Sequence, residues 1–402
     1  MPWREVSVID QRVAFVGLAG SPGANKAELC RRFDVCRSNG YKWLGRHAEE
    51  GVKGLSSRSR RPKSSPYRTS MEVEAEILRV RDESNGAWGG RKIAWTLKRD
   101  GKVKPPSPST ITEVLRRHGR LELRAGEHPG PWQRFERAHP NELWQMDFKG
   151  HIPLAQGRCH PLTVLDDHAR YSLGLQACAD EQDQTVRERL TEIFRRYGLP
   201  FSMLMDNGSP WGDAGGQSWT ALTVWLMRLG VRVIHGKPYH PQSQGKDERF
   251  HRSLKAEVLA GRSFVNLTDC QLAFDTWRRR YNHERPHEAL DMAVPAQRYR
   301  PSPRSFPVAL PGIEYGPGDI VRKVDINGMI FFHNRRLRIG KPFRHLPVAL
   351  RPTAQGDVFA VRFCAHAIGQ IDLNAGALKT CGLVDDAAAS PTTPQALPQR
   401  KI

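Results

Sequence analysis

Residues 143–148 read LWQMDF, and they predict a short buried strand that carries one carboxylate, Asp147, between apolar neighbours. A charge inside a strand is costly to bury unless it has a partner. Working outward along the chain, residues 201–205 read FSMLM and predict a second apolar strand, which ends at Asp206. Side chains at the carboxyl ends of such strands commonly form ligand sites. These two acids are therefore the first candidates for a functional site.

A third acid, Glu248, opens the helix predicted over residues 246–260. At about 100° per residue, Lys255 lies on the same side of this helix as Glu248 and roughly 10 Å further along its axis, with Arg252 between them. The opposite side is apolar and is expected to pack on a sheet: Phe250, Leu254 and Val258. One helix thus presents an acid followed by two cations, which suits a metal next to a phosphate backbone.

Three carboxylates are suitable ligands for Mg²⁺, which keeps several waters and bridges substrate phosphates. Two such ions, for which we expect Mn²⁺ to substitute, can activate an attacking oxygen and stabilise a leaving one. We therefore predict that three acids are both catalytic and metal-binding: Asp147, Asp206 and Glu248. Taken singly, each also fits an ordinary role, as a buried ion-pair partner, a turn former or a helix-start acid respectively.

The composition limits the class of protein. The chain has 402 residues, a net charge of +20 and a pI near 10.0, and its length suggests two to four domains. The longest weakly polar run, residues 13–25, is short and interrupted by Gly, which argues against a membrane span. Charged residues from Arg4 onward argue against a secretory signal. The seven scattered Cys contain no Cys-x-x-Cys pair and predict a reduced protein without a zinc ribbon.

The positive charge is concentrated at the two ends of the chain. The net charge is +12 over residues 1–140, +2 over residues 141–300 and +6 over residues 301–402. Basic flanks favour electrostatic attraction to nucleic acid, although a solvated surface is the alternative. The nearly neutral middle is rich in acids and is therefore the place to expect chemistry.

Residues 10–50 predict three short helices, of which the last two form a helix-turn-helix unit in a DNA-binding domain over residues 1–53. The third helix, over residues 37–48, is expected to place three side chains inward: Tyr41, Leu44 and Ala48. Its outward side is polar and basic and is predicted to contact DNA: Ser38, Asn39, Lys42 and Arg46. A plain αα-hairpin is the alternative.

Residues 54–70 are rich in Ser, Arg and Pro and predict a linker, because they lack apolar residues for a core. Three of its side chains are predicted to contact DNA, although an inert linker fits equally well: Arg58, Arg60 and Arg61. Residues 71–120 predict a second helix-turn-helix-like domain, and residues 121–140 another linker. That domain is expected to contain three helices: 71–83, 91–100 and 107–118.

Residues 141–300 predict strands and helices in the order β-β-β-α-β-α-β-α-α, which gives a mixed sheet flanked by helices. Residues 315–375 contain short alternating strands with Gly and Pro breaks and predict a small β-barrel. Residues 383–402 predict a disordered tail. The expected fold class is therefore multidomain, with N-terminal all-α helix-turn-helix units, a central α/β catalytic core with a mixed sheet and a C-terminal small β-barrel.

Four stretches of the chain resemble the integrase-core DDE transposases of bacterial insertion sequences, which are relatives of retroviral integrases with an RNase H-like fold. They occur in this order: LWQMDFKG (143–150), MLMDNGSP (203–210), HPQSQGKDERFHRSLKAEV (240–258) and YNHERPHEAL (281–290). The resemblance covers roughly residues 10–300 and implies an RNase H-like integrase core over residues 141–300.

The resemblance also implies roles for particular residues. Asp147, Asp206 and Glu248 would be the metal-binding triad of the family, and Lys255 would contact DNA at the transposon end. The implied reaction is Mg²⁺-dependent strand cleavage at the ends of the element, followed by attack of the freed 3′-OH on target DNA.

Three features depart from the pattern of the family. Asp206 and Glu248 are separated by 41 residues, a few more than usual, and the extra length falls in the loop 212–217. Cys36 and Gly40 stand where helix-turn-helix motifs often have Ser or Thr and a bulky residue. The absence of a His-His-Cys-Cys zinc module before the core argues against a retroviral integrase.

The sequence therefore predicts a DNA transposase that acts on double-stranded DNA, both transposon ends and target. We expect a homo-oligomer on DNA, located in the bacterial cytoplasm with the nucleoid, without a membrane partner. The alternative is a catalytically inactive helix-turn-helix regulator of the same element, and a nuclease that cuts without joining is a third hypothesis. Strand-transfer products formed with Mg²⁺ would distinguish the first from the other two, because DNA binding fits them all.

Overall fold

The computed structural model describes residues 7–59, 68–121, 136–212, 219–236, 245–354 and 356–374, and the backbone of 377–379. The chain forms two compact units, Met1–Arg68 and Thr69–Ile402. Among the described residues, no helix is both long and apolar enough to cross a membrane. Several sequence-based predictions fall outside the described residues: the DNA contacts of Arg60 and Arg61, nearly all of the loop 212–217, most of the linker 121–140 and the tail 383–402.

The first unit contains the three predicted helices, α1 (Val8–Ala19), α2 (Lys26–Arg32) and α3 (Arg37–Glu50). The side-chain oxygens of Ser7 and Asn25 accept backbone N–H groups at the starts of α1 and α2, which stabilises these helix ends. Four side chains form the buried core: Phe15, Val16, Cys30 and Leu55. Leu55 lies in a short 3-10 helix, so the packed unit extends into the segment predicted as a linker from residue 54.

The third helix of this unit packs through Gly40. A Cβ atom at this position would lie 2.6 Å from Cys30 Sγ and 3.1 Å from a ring carbon of Phe15, so only glycine allows this close approach. Gly40 therefore defines the inward side of α3. The predicted inward orientation of Tyr41 and Ala48 is wrong, because both side chains are exposed.

The second unit begins with three helices, α4 (Met71–Glu83), α5 (Gly90–Asp100) and α6 (Pro108–Arg117). Their apolar stripes meet in one core, as the helical spacing of the sequence predicts. The core combines residues of all three helices with the loop residue Trp88: Ile77, Val80, Ile93, Leu97, Ile111, Val114 and Leu115. We call residues 69–121 the helical unit.

A mixed sheet follows, with the strand order β2-β3-β1-β5-β6 and β4 beside β3. Strand β1 runs antiparallel to β3 and parallel to β5, and β5 runs parallel to β6. The mixed sheet is therefore confirmed. Its strands have these bounds: β1 Leu143–Phe148, β2 Ile152–Pro153, β3 Arg158–Asp166, β4 Ser172–Cys178, β5 Ser202–Met205 and β6 Arg232–His235.

Helices cover both faces of this sheet. Helices α7 (Asp183–Tyr197) and α8 (Ala221–Arg228) share one apolar core with side chains of β1, β3 and β5. Helices α9 (Gly245–Leu254) and α10 (Leu267–His283) pack on the other face, against β3 and β4. The α-helix predicted over residues 246–260 is thus shorter than expected, because Lys255–Leu259 forms a π-helical turn. A short helix, α11 (Pro295–Arg298), follows.

The C-terminal strands form an open sheet, so the predicted small β-barrel over residues 315–375 is not confirmed. The described strands are β7 (Ile320–Lys323), β8 (Met329–Phe332), β9 (Arg335–Arg338), β10 (Pro347–Pro352), β11 (Val358–Phe363), β12 (His366–Asp372) and β13 (Ala377–Lys379). Five of them pair in the order β13-β12-β11-β10-β7, while β8 and β9 form a separate hairpin. The apolar side chains of these strands share one core with α8, so they are buried without closure of the sheet.

Candidate active site

Asp147 and Asp206 lie side by side at the centre of the mixed sheet. The parallel register pairs Leu143 with Ser202 and Gln145 with Leu204, and the same offset, continued by two residues, places Asp206 beside Asp147. Burial raises the pKa of Asp147 to about 6, and the negative charge of Asp206 adds to this effect. The sheet therefore brings together the first two acids of the predicted triad.

The backbone of Asp147 is held by a chain of hydrogen bonds that begins on α9. Thr163 Oγ1 donates to the carbonyl oxygen of Asp147 at 2.9 Å and lies 2.9 Å from His251 Nε2. Because the hydroxyl donates to Asp147, it accepts from His251, which requires the proton on Nε2. The other ring nitrogen, Nδ1, lies 3.9 Å from Asp147 Oδ2. Burial lowers the pKa of His251 to about 4, so this ring is neutral at physiological pH.

Asp206 ends strand β5 and is fixed by the turn that follows. Its Oδ1 accepts from the backbone N–H of Gly208 at 3.1 Å, and its carbonyl oxygen accepts from His235 Nδ1 at 3.0 Å. Burial raises the pKa of Asp206, the hydrogen bond from Gly208 opposes the shift, and the nearby charge of Glu181 adds to it. Glu181 likewise raises the pKa of Asp147 and contacts His160 Nδ1 at 2.8 Å. Glu181 is thus a further acid near the site that sequence reasoning missed.

The first turn of α9 carries two adjacent acids with opposite environments. Glu248 is exposed and makes no hydrogen bond or ion pair within the described part of the chain. Asp247 is buried, and neither of its carboxyl oxygens has a hydrogen-bond partner there. Burial, together with the charges of Asp147 and Asp167, raises the pKa of Asp247 well above its ordinary value. Asp247 is therefore a buried acid close enough to Asp147 for their charges to interact, whereas Glu248 faces solvent.

The other side chains of α9 and of the π-helical turn that follows it are either exposed or packed on the sheet. Arg252, on α9, and Lys255, the first residue of the turn, are exposed, as is Glu248. The apolar side packs against the sheet: Phe250, Leu254 and Val258. This arrangement leaves one acid and two cations accessible along one surface of α9.

The first unit carries several of the side chains that are predicted to contact DNA. Ser38, Asn39 and Lys42 are exposed on α3. Arg46 is partly buried and stacks on Trp43, with its guanidinium 5.1 Å from the ring centroid. Arg58 forms an ion pair with Glu50. Most of the predicted basic surface is therefore accessible.

The carboxylates suit a hard divalent cation by their chemistry. Asp147 and Asp206 offer carboxylate ligands at the ends of neighbouring strands. Burial raises the pKa of both acids, and the charge of Asp206 adds to the shift of Asp147, an effect that a cation would relieve. Among the described residues, no three His, Cys, Asp or Glu side chains are grouped closely enough to form a metal site. The pair fits a metal ion, whereas the exposed Glu248 would have to turn inward to complete the set.

Comparison with known proteins supports this arrangement. Two models described as "Integrase core domain" match residues 137–241 and 229–295, and a "Homeodomain-like domain" matches residues 39–115. A model described as "IS481 family transposase, C-terminal domain" matches residues 319–379. The integrase core matches together contain all three predicted catalytic acids, while the homeodomain-like match begins in α3 and reaches α6.

Individual proteins are similar to parts of this chain. The "Insertion element IS476 uncharacterized 39.2 kDa protein" of Xanthomonas euvesicatoria is 28% identical over 39% of this chain and 44% of its own length. The "Transposase for insertion sequence element IS629" of Shigella sonnei is 23% identical over 67% of this chain and 89% of its own length. The catalytic core domain of BIV integrase aligns with a TM-score of 0.30 and 22% identity, over 39% of this chain and 92% of that chain.

The chain spans about half the length of the first curated relatives it matches. The matches nevertheless run from the helix-turn-helix region through the core to the C-terminal strands, in the order found along this sequence. Residues 137–295 therefore match the integrase core domain, and the chain is similar to transposases of bacterial insertion sequences.

Proposed function

We propose that this protein is a DNA transposase that binds the ends of its insertion sequence, cleaves DNA strands there and joins the 3′-OH ends to target DNA. The observation that carries the proposal is the pair Asp147, on β1, and Asp206, directly after β5. The parallel register of the two strands brings these acids together, and each has a raised pKa. Buried carboxylates with raised pKa values are typical of functional sites.

Asp147, Asp206 and Glu248 would hold Mg²⁺, with two ions and replacement by Mn²⁺ as the expected arrangement. Bound there, the metal would supply charge stabilisation and activation of the attacking oxygen in an in-line displacement at phosphorus. The protein would keep the Asp147 carboxylate in place through the hydrogen-bond chain from His251 and Thr163 to its backbone. Glu248 lies in the first turn of α9 and would enter the site by a change of side-chain rotamer.

The cations would position DNA. Arg252 and Lys255 are exposed along the surface of α9 that carries Glu248, and they are available to contact phosphates of a strand that crosses the site. The helix-turn-helix region would recognise the DNA sequence through Ser38, Asn39 and Lys42. Residues 1–53 and 71–120 would thus bind the element ends, and residues 141–300 would perform the chemistry, in a homo-oligomer on DNA.

An inactive regulator of the same element is not favoured, because a protein that only binds DNA has no use for repelling acids in the centre of its sheet. Cleavage of duplexes taken from both flanks of the coding sequence tests the proposal. With Mg²⁺, the wild-type protein should nick these duplexes at the element ends, and EDTA should stop the reaction. Binding to the duplexes without any cleavage, in Mg²⁺ or in Mn²⁺, would instead support the regulator.

A further inference from the structure

We propose that Glu257 is a positioning residue, whose buried carboxylate fastens the helical unit to the end of α9 so that DNA held by that unit is in register with the catalytic acids. This inference rests on the proposed function. It concerns a residue that lies inside the third of the four sequence stretches above, two positions after Lys255.

The carboxylate of Glu257 binds three donors from three separate segments. Its side chain is only 3% exposed. Arg285 Nε donates to Oε1 at 2.9 Å, and the indole N–H of Trp88, from the loop between α4 and α5, donates to the same oxygen at 3.2 Å. The indole N–H of Trp277, on α10, donates to Oε2 at 2.8 Å. A buried charge needs such partners, so these four residues act together, and we call them the Glu257 clasp.

Further contacts surround the clasp and join the same elements. Asn85 Nδ2 donates to the carbonyl oxygen of Ala256 at 3.2 Å. The guanidinium of Arg280 lies 4.8 Å from the centroid of the Trp88 ring. Arg99 Nη1 donates to the carbonyl oxygen of Glu284 at 3.2 Å. The helical unit is therefore joined to α9 and α10 at several points, and the contact between Trp88 and Glu257 is a buried one.

Trp88 connects the Glu257 clasp to α6, the last helix of the helical unit that would bind DNA. Trp88 is 1% exposed and belongs to the same core as Ile111, Val114 and Leu115, which are the buried residues of α6. A displacement of α6 would therefore move Trp88, because packed cores transmit strain. The opposite, polar side of α6 carries exposed Ser109 and Thr110.

The other end of the clasp reaches the segment that carries Lys255. Arg285 binds Glu257 and also donates from Nη2 to Ser253 Oγ at 2.9 Å, so it contacts α9 two residues before and two residues after Lys255. The π-helical turn that begins at Lys255 also contains Glu257. The clasp thus fixes the backbone on both sides of a proposed phosphate contact.

A positioning role and a purely structural role make different predictions. If Glu257 only stabilises the fold, its loss lowers the amount of active protein and reduces cleavage at every position by the same factor. If it sets the register, its loss leaves folded protein that binds DNA, but the cut spreads to neighbouring phosphates. The distribution of cut positions is therefore the readout that separates the two roles.

The test compares Trp88→Phe and Glu257→Gln with wild type in the full-length chain. Trp88→Phe keeps an aromatic ring in the core but removes the indole donor and the second ring, while Glu257→Gln keeps the shape and removes the charge. Glu192→Gln is the matched control, because Glu192 is an exposed partner of Arg189 at 3.2 Å on α7. Two measurements are made: hydrogen exchange without DNA, and cut positions at nucleotide resolution on duplexes from the element flanks with Mg²⁺.

Both clasp variants should exchange amides about tenfold faster in two segments together, 84–90 and 253–259, and should cut at several adjacent phosphates. Glu192→Gln should match wild type in both measurements. Unchanged exchange, or a lower rate with unchanged cut positions, would overturn the proposal. If wild type itself does not cut, the proposed function fails, and the exchange measurement still decides whether the clasp joins the two segments.

Discussion

Asp206 lies beside Asp147 on the neighbouring parallel strand, and its charge adds to burial in raising the pKa of Asp147 to about 6. The first prediction follows from the sign of this shift. In the unfolded chain Asp147 loses its proton near its ordinary pKa of 3.8, whereas the folded chain keeps it up to about pH 6. The folded state therefore loses stability as the pH rises from about 3.8 to about 6. Above this range the folded state carries the full destabilisation from the ionised Asp147 carboxylate.

Asp147→Asn removes this titration. We expect the variant to be more stable than wild type by about 1–3 kcal/mol at neutral pH and equally stable below the window. Urea unfolding at a series of pH values measures the difference. A variant that is less stable than wild type at neutral pH would show that Asp147 is stabilised by a partner rather than strained.

Added Mg²⁺ should make wild type more stable than Asp147→Asn, because a ligand that binds only the folded state stabilises it by mass action. The melting temperature of wild type should rise with Mg²⁺ concentration, and that of Asp147→Asn should rise less. The measurement needs no DNA. Equal shifts in the two proteins would remove Asp147 from the metal site.

The second prediction separates the two adjacent acids of α9. Glu248→Gln should abolish cleavage and leave DNA binding intact, because it removes a proposed metal ligand from an exposed position. Asp247→Asn should retain activity within a few-fold, because burial raises the pKa of this acid well above its ordinary value, which favours its uncharged form, and asparagine has nearly the same shape. Single-turnover cleavage rates of the two variants distinguish the roles of the two acids. Loss of cleavage in Asp247→Asn, with cleavage retained in Glu248→Gln, would make Asp247 the ligand.

The third prediction concerns Lys255, which is exposed and makes no ion pair within the described part of the chain. Lys255→Ala should lower the cleavage rate at limiting DNA by about tenfold, and Lys255→Arg should recover much of it, because either cation neutralises a phosphate. Affinity for Mg²⁺ should not change. Arg279→Ala, which removes an exposed cation from α10, is the control. A Lys255→Ala variant that cuts as fast as this control would contradict the role.

The fourth prediction tests the packing of the first unit. Gly40→Ala should destabilise it by about 1–3 kcal/mol, because the added Cβ atom would lie 2.6 Å from Cys30 Sγ. Gly45→Ala, in the same helix but with nothing within 4 Å, should stabilise it by about 0.5–1 kcal/mol. Hydrogen exchange over residues 7–59 reports both changes. Equal effects of the two substitutions would show that α3 does not pack through Gly40.

Sequence periodicity predicted the helices and strands whose buried side chains recur at a regular spacing. The bounds of α4, Met71–Glu83, match the prediction, because Ser70 caps a helix whose apolar residues recur at helical spacing. The strands that carry or precede Asp147 and Asp206 were also predicted, since each is a short and mostly apolar run. The apolar side of α9 was also predicted correctly, through Phe250 and Leu254.

The same periodicity contained a signal that the prediction did not use. Asp247 lies three residues before Phe250 and seven before Leu254, which places it on the buried side of α9. Other features depend on contacts far apart in the chain. Trp88 and Glu257 are separated by 169 positions, and no local pattern indicates that they meet. The open C-terminal sheet was missed for a related reason, because closure depends on which strands pair and not on their alternation.

The central claim is that the acids of this sheet join a 3′-OH end to target DNA with a divalent metal. It is tested most directly with an element-end duplex that is already cut, prepared once with a 3′-OH and once with a 3′-deoxy terminus, and mixed with a target plasmid and Mg²⁺. We predict joined product only with wild-type protein and the 3′-OH duplex. The 3′-deoxy duplex and Asp147→Asn should both give none. Joining by Asp147→Asn at the wild-type rate, or no joining by wild-type protein that nonetheless cuts the uncut duplex, would contradict it.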